Sequence, residues 1–416
     1  MITETQHTKT EKHIVPQLRF AEFEGEWKET TLGLISSQAS YGIGAAATIF
    51  DGTNQYLRIT DIDEESRSFK PNPLTSPEGK IDEKYKLKEG DIVFARTGAS
   101  VGKSYLYNPS DGNLIYAGFL IKFNISKANP KFVYALTFKE SYNKWVQVYS
   151  MRSGQPGLNA EEYKALKLNL PTLPEQQKIA SFLTAVDTKL QQLNQKKELL
   201  EQYKKGVMQQ LFSRQLRFKQ PDGSDYPDWG KLSSPIKIIS GNAYSLKEYK
   251  DSGVKLVQGL NIMPGKLDIE SPYYIDKNNN SKHVEIHNGD ILLALNRPVT
   301  SNKLKVCKYQ SNNVAYLYQR AGKLSFDERV INSNFLYQYL TSEVFLRKLL
   351  IELVGSDQPY IKSNLFEIIK IKIPVISEQQ QIASYLAALD TKIETVAQQI
   401  ETTQQFKKGL LQQMFV

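Results

Sequence analysis

Two stretches of the chain carry apolar residues in a seven-residue repeat, the pattern of a helix that pairs with another helix. One position of the repeat in the first stretch is occupied by Ile179, Val186, Leu193, Leu200 and Val207, and the other by Leu183, Leu190, Lys197, Lys204 and Leu211. The second stretch has Ile382, Leu389, Val396, Thr403 and Leu410 at one position and Leu386, Ile393, Ile400, Lys407 and Met414 at the other. Neither stretch contains proline after its start. The pattern therefore predicts long helices over residues 174–213 and 377–416.

The two helical stretches are copies of each other. PTLPEQQKIASFLTAVDTKL at 171–190 and PVISEQQQIASYLAALDTKI at 374–393 are identical at 12 of 20 positions. YKKGVMQQLF at 203–212 matches FKKGLLQQMF at 406–415, and QLRF at 17–20 recurs at 215–218. We infer an internal duplication in which a variable block precedes each helix. These blocks are head one, residues 14–173, and head two, residues 214–376, while residues 1–13 are expected to form a flexible N-terminal segment.

The length of the helices predicts how they pair. A helix of roughly 39 residues is about 58 Å long, too long to pack inside either head. Its apolar seam is unstable when exposed and needs a partner. Because head two begins where the first helix ends, we predict that the second helix returns along the first as an antiparallel, intramolecular coiled coil with pseudo-twofold symmetry. The alternatives are two separate helical hairpins or a coiled coil between chains.

Both heads mix strand and helix signals. Short β-forming runs such as DIVFA at 91–95 and DILLAL at 290–295 alternate with helical stretches such as PKFVYALTFKESYNKWVQVY at 130–149. The predicted fold class is therefore α+β, with two mixed α/β domains separated by the two-helix coiled coil.

Composition narrows the chemistry. The chain has 53 basic and 44 acidic residues, a net charge of +9 that fits a polyanionic partner without requiring one. The single cysteine, Cys307, excludes a disulfide within the chain and a cysteine-based zinc site, and four histidines leave little for a metal cluster. No apolar stretch is long enough to span a membrane, so we expect a cytoplasmic protein without membrane contact.

Motifs of catalysis are incomplete. GASVGKS at 98–104 is similar to a phosphate-binding P-loop but has three residues between its glycines where the motif has four. The corresponding part of head two reads LNRPVTSNK at 295–303. The chain also has no HExxH metal motif and no Asn-Pro-Pro-aromatic methyltransferase signature. These observations favour heads that bind a partner over heads that catalyse a reaction.

The repeated helix motifs carry a family resemblance. Helices that open with LPEQQKIASFL and SEQQQIASYL, close with KKGVMQQLF and KKGLLQQMF and alternate with two variable domains resemble the specificity subunit of Type I restriction-modification enzymes. DIVFARTGASVGKSYLY at 91–107 and WKETTLG at 27–33 are similar to that family's target-recognition domains. The resemblance covers the chain from about residue 14 onward, and head two departs from it where head one reads RTGASVGK.

This resemblance implies a division of labour. Each head is expected to be a target-recognition domain that reads one half of a bipartite, asymmetric site on double-stranded DNA. The helices would set the spacer and dock two modification subunits, and restriction or motor subunits would complete the assembly. No cofactor is expected in this chain, whereas S-adenosylmethionine, ATP and magnesium are expected on the partner subunits. The competing interpretations are an enzyme that methylates DNA by itself and a structural coiled-coil adaptor.

Candidate binding residues follow from the chemistry of base edges, since arginine and lysine pair with guanine, and asparagine and glutamine pair with adenine. The DNA-binding candidates of head one are Tyr41, Arg58, Thr60, Arg96, Thr97, Lys103, Arg152, Ser153 and Gln155. Those of head two are Tyr244, Gln258, Asn261, Asn296, Arg297, Lys303, Gln319, Arg320 and Gln358.

Four aromatic residues outside the seam are expected to be exposed and to face the modification subunits: Phe182, Phe212, Tyr385 and Phe415.

Overall fold

The computed structural model describes residues 14–270, 273–277, 283–355 and 357–416. The chain divides into two compact units, unit 1 with residues 1–193 and 399–416 and unit 2 with residues 194–398. Each long helix contributes one part to each unit. The N-terminal segment of residues 1–13, expected to be flexible, lies outside the described residues.

Unit 1 contains head one. Its strands are β1 (Lys28–Thr31), β2 (Ser40–Tyr41), β3 (Ala47–Ile49), β4 (Gln55–Leu57), β5 (Thr75–Pro77), β6 (Asp91–Ala95), β7 (Ser104–Leu106), β8 (Leu114–Tyr116), β9 (Leu120–Asn124) and β10 (Lys167–Leu170). Its helices are α1 (Leu32–Ile35), α2 (Pro130–Leu136), α3 (Glu140–Tyr149), α4 (Ala160–Lys164) and the first part of α5 (Leu173–Phe212). The main sheet is antiparallel in the order β2-β9-β6-β7, and β4 pairs with β8 in parallel.

Unit 2 contains head two. Its strands are β11 (Gly230–Lys231), β12 (Lys237–Ser240), β13 (Tyr249–Lys250), β14 (Val254–Val257), β15 (Ile262–Met263), β16 (Lys266–Leu267), β17 (Tyr273–Ile275), β18 (Glu285–Ile286), β19 (Ile291–Ala294), β20 (Val299–Thr300), β21 (Lys303–Leu304), β22 (Val306–Lys308), β23 (Ala315–Leu317), β24 (Ala321–Ser325) and β25 (Lys372–Ile373). Its helices are α6 (Ser333–Leu340), α7 (Glu343–Glu352), α8 (Leu365–Ile368) and the first part of α9 (Ile376–Gln413). One sheet is antiparallel in the order β12-β24-β19-β22, and a second has the order β13-β17-β14-β23-β18.

The two heads share one framework although their sequences have diverged. The sheet β2-β9-β6-β7 of head one corresponds to β12-β24-β19-β22 of head two, and the parallel pair β4/β8 corresponds to β14/β23. A glycine allows close backbone approach at the same point of each: a Cβ on Gly42 would lie 2.2 Å from the Ala117 carbonyl oxygen, and one on Gly241 would lie 2.3 Å from the Leu317 carbonyl oxygen. A side chain at either position would displace the main chain. The predicted α+β class is confirmed.

The heptad positions form the seam that the sequence predicts. The heptad residues at both repeated positions of α5 and α9 are buried or half-buried. In unit 1 the ammonium of Lys407 lies 2.6 Å from the carboxylate of Asp187, and in unit 2 that of Lys204 lies 2.6 Å from Asp390. In each unit, therefore, residues early in one helix lie beside residues late in the other. This confirms the antiparallel, intramolecular pairing.

A buried ion pair fixes the start of each long helix. The guanidinium of Arg19 donates two hydrogen bonds of 2.8 Å to Glu175 at the start of α5. Arg217 donates bonds of 3.1 and 2.8 Å to Glu378 at the start of α9. Both glutamates are almost fully buried. The repeated QLRF motif thus supplies the arginine for the repeated Glu-Gln motif of the helix.

The glutamine after each buried glutamate ties the helix to its own head. In unit 1 the amide of Gln176 accepts a hydrogen bond from the Asn129 backbone N–H at 2.9 Å and donates to the Pro171 carbonyl at 2.8 Å. Gln379 makes the equivalent bonds in unit 2, accepting from the Asn332 N–H at 2.8 Å and donating to the Pro374 carbonyl at 2.9 Å. Because buried amides are costly when unpaired, these bonds select glutamine at this position.

The ends of the long helices complete the cores of the heads. Phe415 packs against Trp27 and Phe132 in unit 1, with ring centroids 6.2 and 5.0 Å apart. Phe212 packs against Phe335 at 5.8 Å in unit 2. Both phenylalanines are about 95% buried, with exposures of 4% and 5%. The expectation that Phe212 and Phe415 are exposed for partner subunits is therefore wrong, because Phe212 at the end of α5 and Phe415 just after the end of α9 each pack into the core of a head.

Among the described residues, no helix combines the length and apolarity that a bilayer crossing requires.

We expect Glu175→Ala to lower the free energy of unfolding of unit 1 by about 3 kcal/mol, because the substitution leaves the part-buried Arg19 guanidinium without its anion. Urea denaturation of the full chain measures the change. The control is Glu29→Ala, which removes a surface pair with Lys167 and should cost less than about 0.5 kcal/mol. Equal effects of the two substitutions would show that the buried pair does not anchor the helix.

Candidate nucleic-acid interface

In head one, two loops at the end of the main sheet are joined by main-chain hydrogen bonds. The N–H of Gly98 donates to the Pro156 carbonyl at 3.0 Å, and the Leu158 N–H donates to the Arg96 carbonyl at 2.8 Å. The loop after β6 therefore lies against the loop before α4. This contact brings the candidates Arg96 and Thr97 beside the loop that holds Arg152, Ser153 and Gln155.

Head two has the same pair of loops. The N–H of Arg297 donates to the Pro359 carbonyl at 2.7 Å, and the Ile361 N–H donates to the Leu295 carbonyl at 2.8 Å. These bonds bring Asn296 and Arg297 beside Gln358. The segments that follow β6 and β19 have little sequence in common, yet their main chains are held in the same way.

Arg96 and Tyr41 form one unit of the head-one surface. The Arg96 guanidinium lies 5.1 Å from the centroid of the Tyr41 ring, and the Tyr41 hydroxyl accepts a hydrogen bond of 3.2 Å from the Ala160 N–H. Within the described residues, the buried Nε of Arg96 has no hydrogen-bond partner. The ring thus positions a guanidinium that keeps unused donor capacity.

Three candidates are internal, so their expected contact with DNA is wrong. Lys103 is 7% exposed, and its ammonium donates to the Ile62 carbonyl at 3.1 Å and pairs with Glu64. Asn261 is 7% exposed and accepts a bond of 2.8 Å from the Gln258 N–H, which closes a short helical turn. In each case the head uses the polar group to satisfy its own interior.

The third is Tyr244, which is 6% exposed and stacks on His283 and Tyr318. Its hydroxyl lies 3.0 Å from His283 Nδ1. Burial raises the pKa of Tyr244 to about 12. The residue belongs to the aromatic core beneath the five-stranded sheet.

The other candidates reach the surface to different extents. Arg58, Arg96, Thr97, Gln258, Asn296 and Gln319 are half-buried, and Arg58 is held by two bonds of 2.8 Å to Asp61. Arg152 is exposed but pairs with Glu162. The exposed remainder is Tyr41, Thr60, Ser153, Gln155, Arg297, Lys303, Arg320 and Gln358. The paired loops of the two heads therefore hold four of these eight exposed candidates, Ser153, Gln155, Arg297 and Gln358.

Large apolar residues also lie beside these loops, but they are not among the DNA-binding candidates, which are polar, basic or tyrosine residues. Phe119 is 60% exposed, and its carbonyl accepts the N–H of Arg96 at 3.1 Å. Met151 is 69% exposed and precedes Arg152. In the sequence, Phe119 looks like part of the strand run NLIYAGFLIKFNI at 113–125, and only the glycine before it signals a turn. Apolar side chains at such a surface can contact thymine methyl groups.

A comparison with known families decides the identity of this framework. The family model that describes the Type I restriction modification DNA specificity domain matches the sequence of this chain twice, at residues 44–202 and 228–404. The chain belongs to this family. The specificity subunit of the Type I restriction enzyme MjaVIII from Methanocaldococcus jannaschii is 30% identical over 338 residues, 78% of this chain and 78% of that protein. The putative MjaX specificity subunit of the same organism is 27% identical over 348 residues, 79% of this chain and 78% of that protein.

A solved structure shows the same fold. The crystal structure of a Type I restriction-modification S subunit from M. genitalium aligns with a TM-score of 0.56 at 15% identity, covering 97% of this chain and 99% of that one. The chain is thus a specificity subunit, a DNA-recognition component without catalytic activity of its own. Burial accords with this at Cys307, since it raises the pKa of the thiol to about 12 and disfavours a nucleophilic thiolate.

Proposed function

We propose that head one and head two of this specificity subunit each read one half of a bipartite, asymmetric site on double-stranded DNA. The main support is the pair of loops in each head that share a main-chain arrangement but carry different side chains. Arg96 and Gly98 stand in head one where head two has Leu295 and Arg297. A common framework with unlike side chains is what recognition of two different half-sites requires.

Head exchange tests this function. The chain is expressed with its modification partner, methylated adenines are mapped across a genome, and residues 214–376 are then replaced by the equivalent block of another specificity subunit. We expect a two-part motif in which only one half changes, because each half-site is read by one head. A change in both halves, or a motif without two parts, would reject the assignment. Methylation by the isolated chain would favour the enzyme alternative. The absence of any preference among DNA sequences would favour the structural adaptor.

The long helices are proposed to set the spacer between the half-sites. α5 passes without interruption from unit 1 into unit 2 at residues 193 and 194, and α9 passes back at 398 and 399. Such continuous helices hold their ends at a length fixed by the rise per residue. The spacer is therefore proposed to follow the number of helical residues.

We expect one extra heptad in each helix, inserted after Leu193 and after Gln398, to lengthen the spacer. Seven residues add about 10 Å of helix, which corresponds to about three base pairs. Mapping methylated adenines measures the spacer. The control carries the heptad in α5 alone, which puts the seam out of register and should abolish methylation. An unchanged spacer in the double insertion would contradict the proposal that helix length sets the spacer.

The partners are proposed to be two modification subunits, one on each unit. An aromatic pair recurs at equivalent positions beside the seam: Phe20 and Phe182 have ring centroids 5.9 Å apart, and Phe218 and Tyr385 have ring centroids 5.7 Å apart. The first pair lines a pocket with Gln177, Lys178 and Ser181. A surface that is duplicated while the loops diverge fits one kind of partner bound twice.

The rest of the assembly is proposed to supply the chemistry. S-adenosylmethionine is assigned to the modification subunits, and ATP and magnesium are assigned to restriction or motor subunits. The complex is proposed to act in the cytoplasm, where it meets chromosomal DNA.

We expect Phe182→Asp and Tyr385→Asp each to reduce the number of bound modification subunits from two to one, and the double variant to bind none, because a carboxylate disrupts an aromatic contact. Native mass spectrometry of the purified complex counts the subunits. Ile351→Asp, at an 80% exposed position of α7, is the control and should keep both. Urea denaturation verifies that each variant is folded. Two bound subunits in both single variants would exclude these aromatic pairs as the docking sites.

A further inference from the structure

Six residues other than glycine in the described part of the chain have a positive φ, a conformation that side chains rarely adopt. They are Arg67, Arg214, Arg297, Ser301, Asn302 and Arg320. Ser301 and Asn302 form the two-residue turn between β20 and β21, where both central residues are normally left-handed. Arg214 follows the end of α5, a common place for a left-handed residue. The fold thus accounts for three of the six.

Arg67 has a different explanation. Its guanidinium points into unit 1 and donates to the Ser104 hydroxyl at 2.9 Å and to the Thr137 hydroxyl at 2.9 Å. These bonds hold the residue in its conformation. Arg297 and Arg320 remain, both exposed and both in the loops at the end of the main sheet of head two. Left-handed conformations of residues other than glycine are strained, and strained backbone is concentrated at functional sites.

Comparison with head one shows that the first arginine is not needed for the fold. Gly98 and Arg297 make equivalent bonds to Pro156 and Pro359, and φ is +75° at Gly98 and 46° at Arg297. The loop therefore requires a left-handed residue at this point in both heads. Head one meets the requirement with glycine, the residue that suits it best, whereas head two has an arginine despite the steric penalty.

The second arginine is also specific to head two. The carbonyl of Arg320 accepts the Leu295 N–H at 2.8 Å, and that of Phe119 accepts the Arg96 N–H at 3.1 Å. The two residues are thus equivalent, yet only Arg320 is left-handed, with φ of 69°. Since phenylalanine occupies this position in head one, the framework itself does not require a guanidinium there.

The two arginines lie on adjacent loops, because the Leu295 that bonds to Arg320 is two residues before Arg297. Neither forms an ion pair with an acid among the described residues. The ammonium group of Lys305 lies close to Arg297 and carries the same positive charge. Burial lowers the pKa of Lys305, and the charge of Arg297 lowers it further. At the equivalent position of head one, Lys103 is neutralised by Glu64. Head two therefore holds exposed guanidinium groups to which the described residues provide no counter-charge.

We propose that Arg297 and Arg320 read guanine in the half-site that head two recognises. A planar guanidinium donates two parallel N–H bonds that match the O6 and N7 acceptors of guanine in the major groove. Head one has Gly98 and Phe119 at the same points and cannot make these contacts there. The inference rests on the proposed reading of one half-site by each head.

Arg297→Gly and Arg320→Gly test the proposal without a risk to folding, since glycine suits a left-handed backbone better than arginine. The complex of full chain and modification subunit methylates DNA, and the motif is derived from the mapped adenines. We expect the preference for guanine at one position of the head-two half-site to fall by about 5- to 150-fold in each variant. The head-one half-site should not change, and the urea midpoint should stay equal or rise.

Arg214→Gly is the matched control, since it makes the same substitution at a left-handed arginine outside these loops; its motif should equal that of the unaltered chain. A head-two half-site without guanine, or an unchanged base preference in both variants, would overturn the proposal. An equal loss of activity on all sequences would also overturn it, because it would indicate phosphate contacts. If the unaltered complex gives no two-part motif, the proposed function itself fails.

Discussion

Each head encloses the end of a helix that begins in the other unit. Leu411 of α9, and Met414 and Phe415 just after its end, lie in the core of unit 1, although α9 starts in unit 2. The last residues of α5, among them Phe212, lie in the core of unit 2 in the same way. Burial of one large apolar side chain contributes about 1.5–3 kcal/mol, so each helix end stabilises its head substantially. The folding of the heads and the pairing of the helices are therefore a single problem for this chain.

This constraint explains why the duplication has kept some residues and changed others. Arg19, Glu175 and Gln176 recur as Arg217, Glu378 and Gln379 because they fix the helix starts through buried bonds that have no substitute of the same shape. Seam residues recur because the two helices must match along their length. Loop residues at the end of the main sheets face solvent. They take part neither in the buried bonds at the helix starts nor in the helix seam, so they are free to differ.

The sequence predicted the helices, which depend on a periodic pattern of apolar residues. It did not predict which side chains are buried, because burial depends on tertiary packing. The heptads of α5 and α9 placed both helices to within one residue at their starts, 174 against Leu173 and 377 against Ile376. Nothing local distinguishes Lys103, which is internal, from Lys303, which is exposed, since each directly follows a turn between two strands.

The aromatic residues at the helix ends were misjudged for a similar reason. Phe212 and Phe415 lie outside the heptad seam, and periodicity alone leaves them on a free face. The core of the head that covers them is formed by residues far away in the sequence, such as Trp27 and Phe132 for Phe415. The candidate site was partly predictable because exposed polar residues gather in the loops, while Phe119 was hidden within a strand-like run.

A recognition domain built in this way can change its target without changing its fold. The backbone of the two loops is fixed by main-chain hydrogen bonds that are indifferent to side-chain identity, as the equivalent bonds of Gly98 and Arg297 illustrate. The close approach at Gly42 and Gly241 is conserved between the heads because it is a backbone requirement. Substitutions at the exposed positions change the side chains that the loops present to solvent but leave the core and the helix anchors untouched. Divergence of the loops is thus compatible with the nearly identical helices, and a single scaffold can present two unlike surfaces.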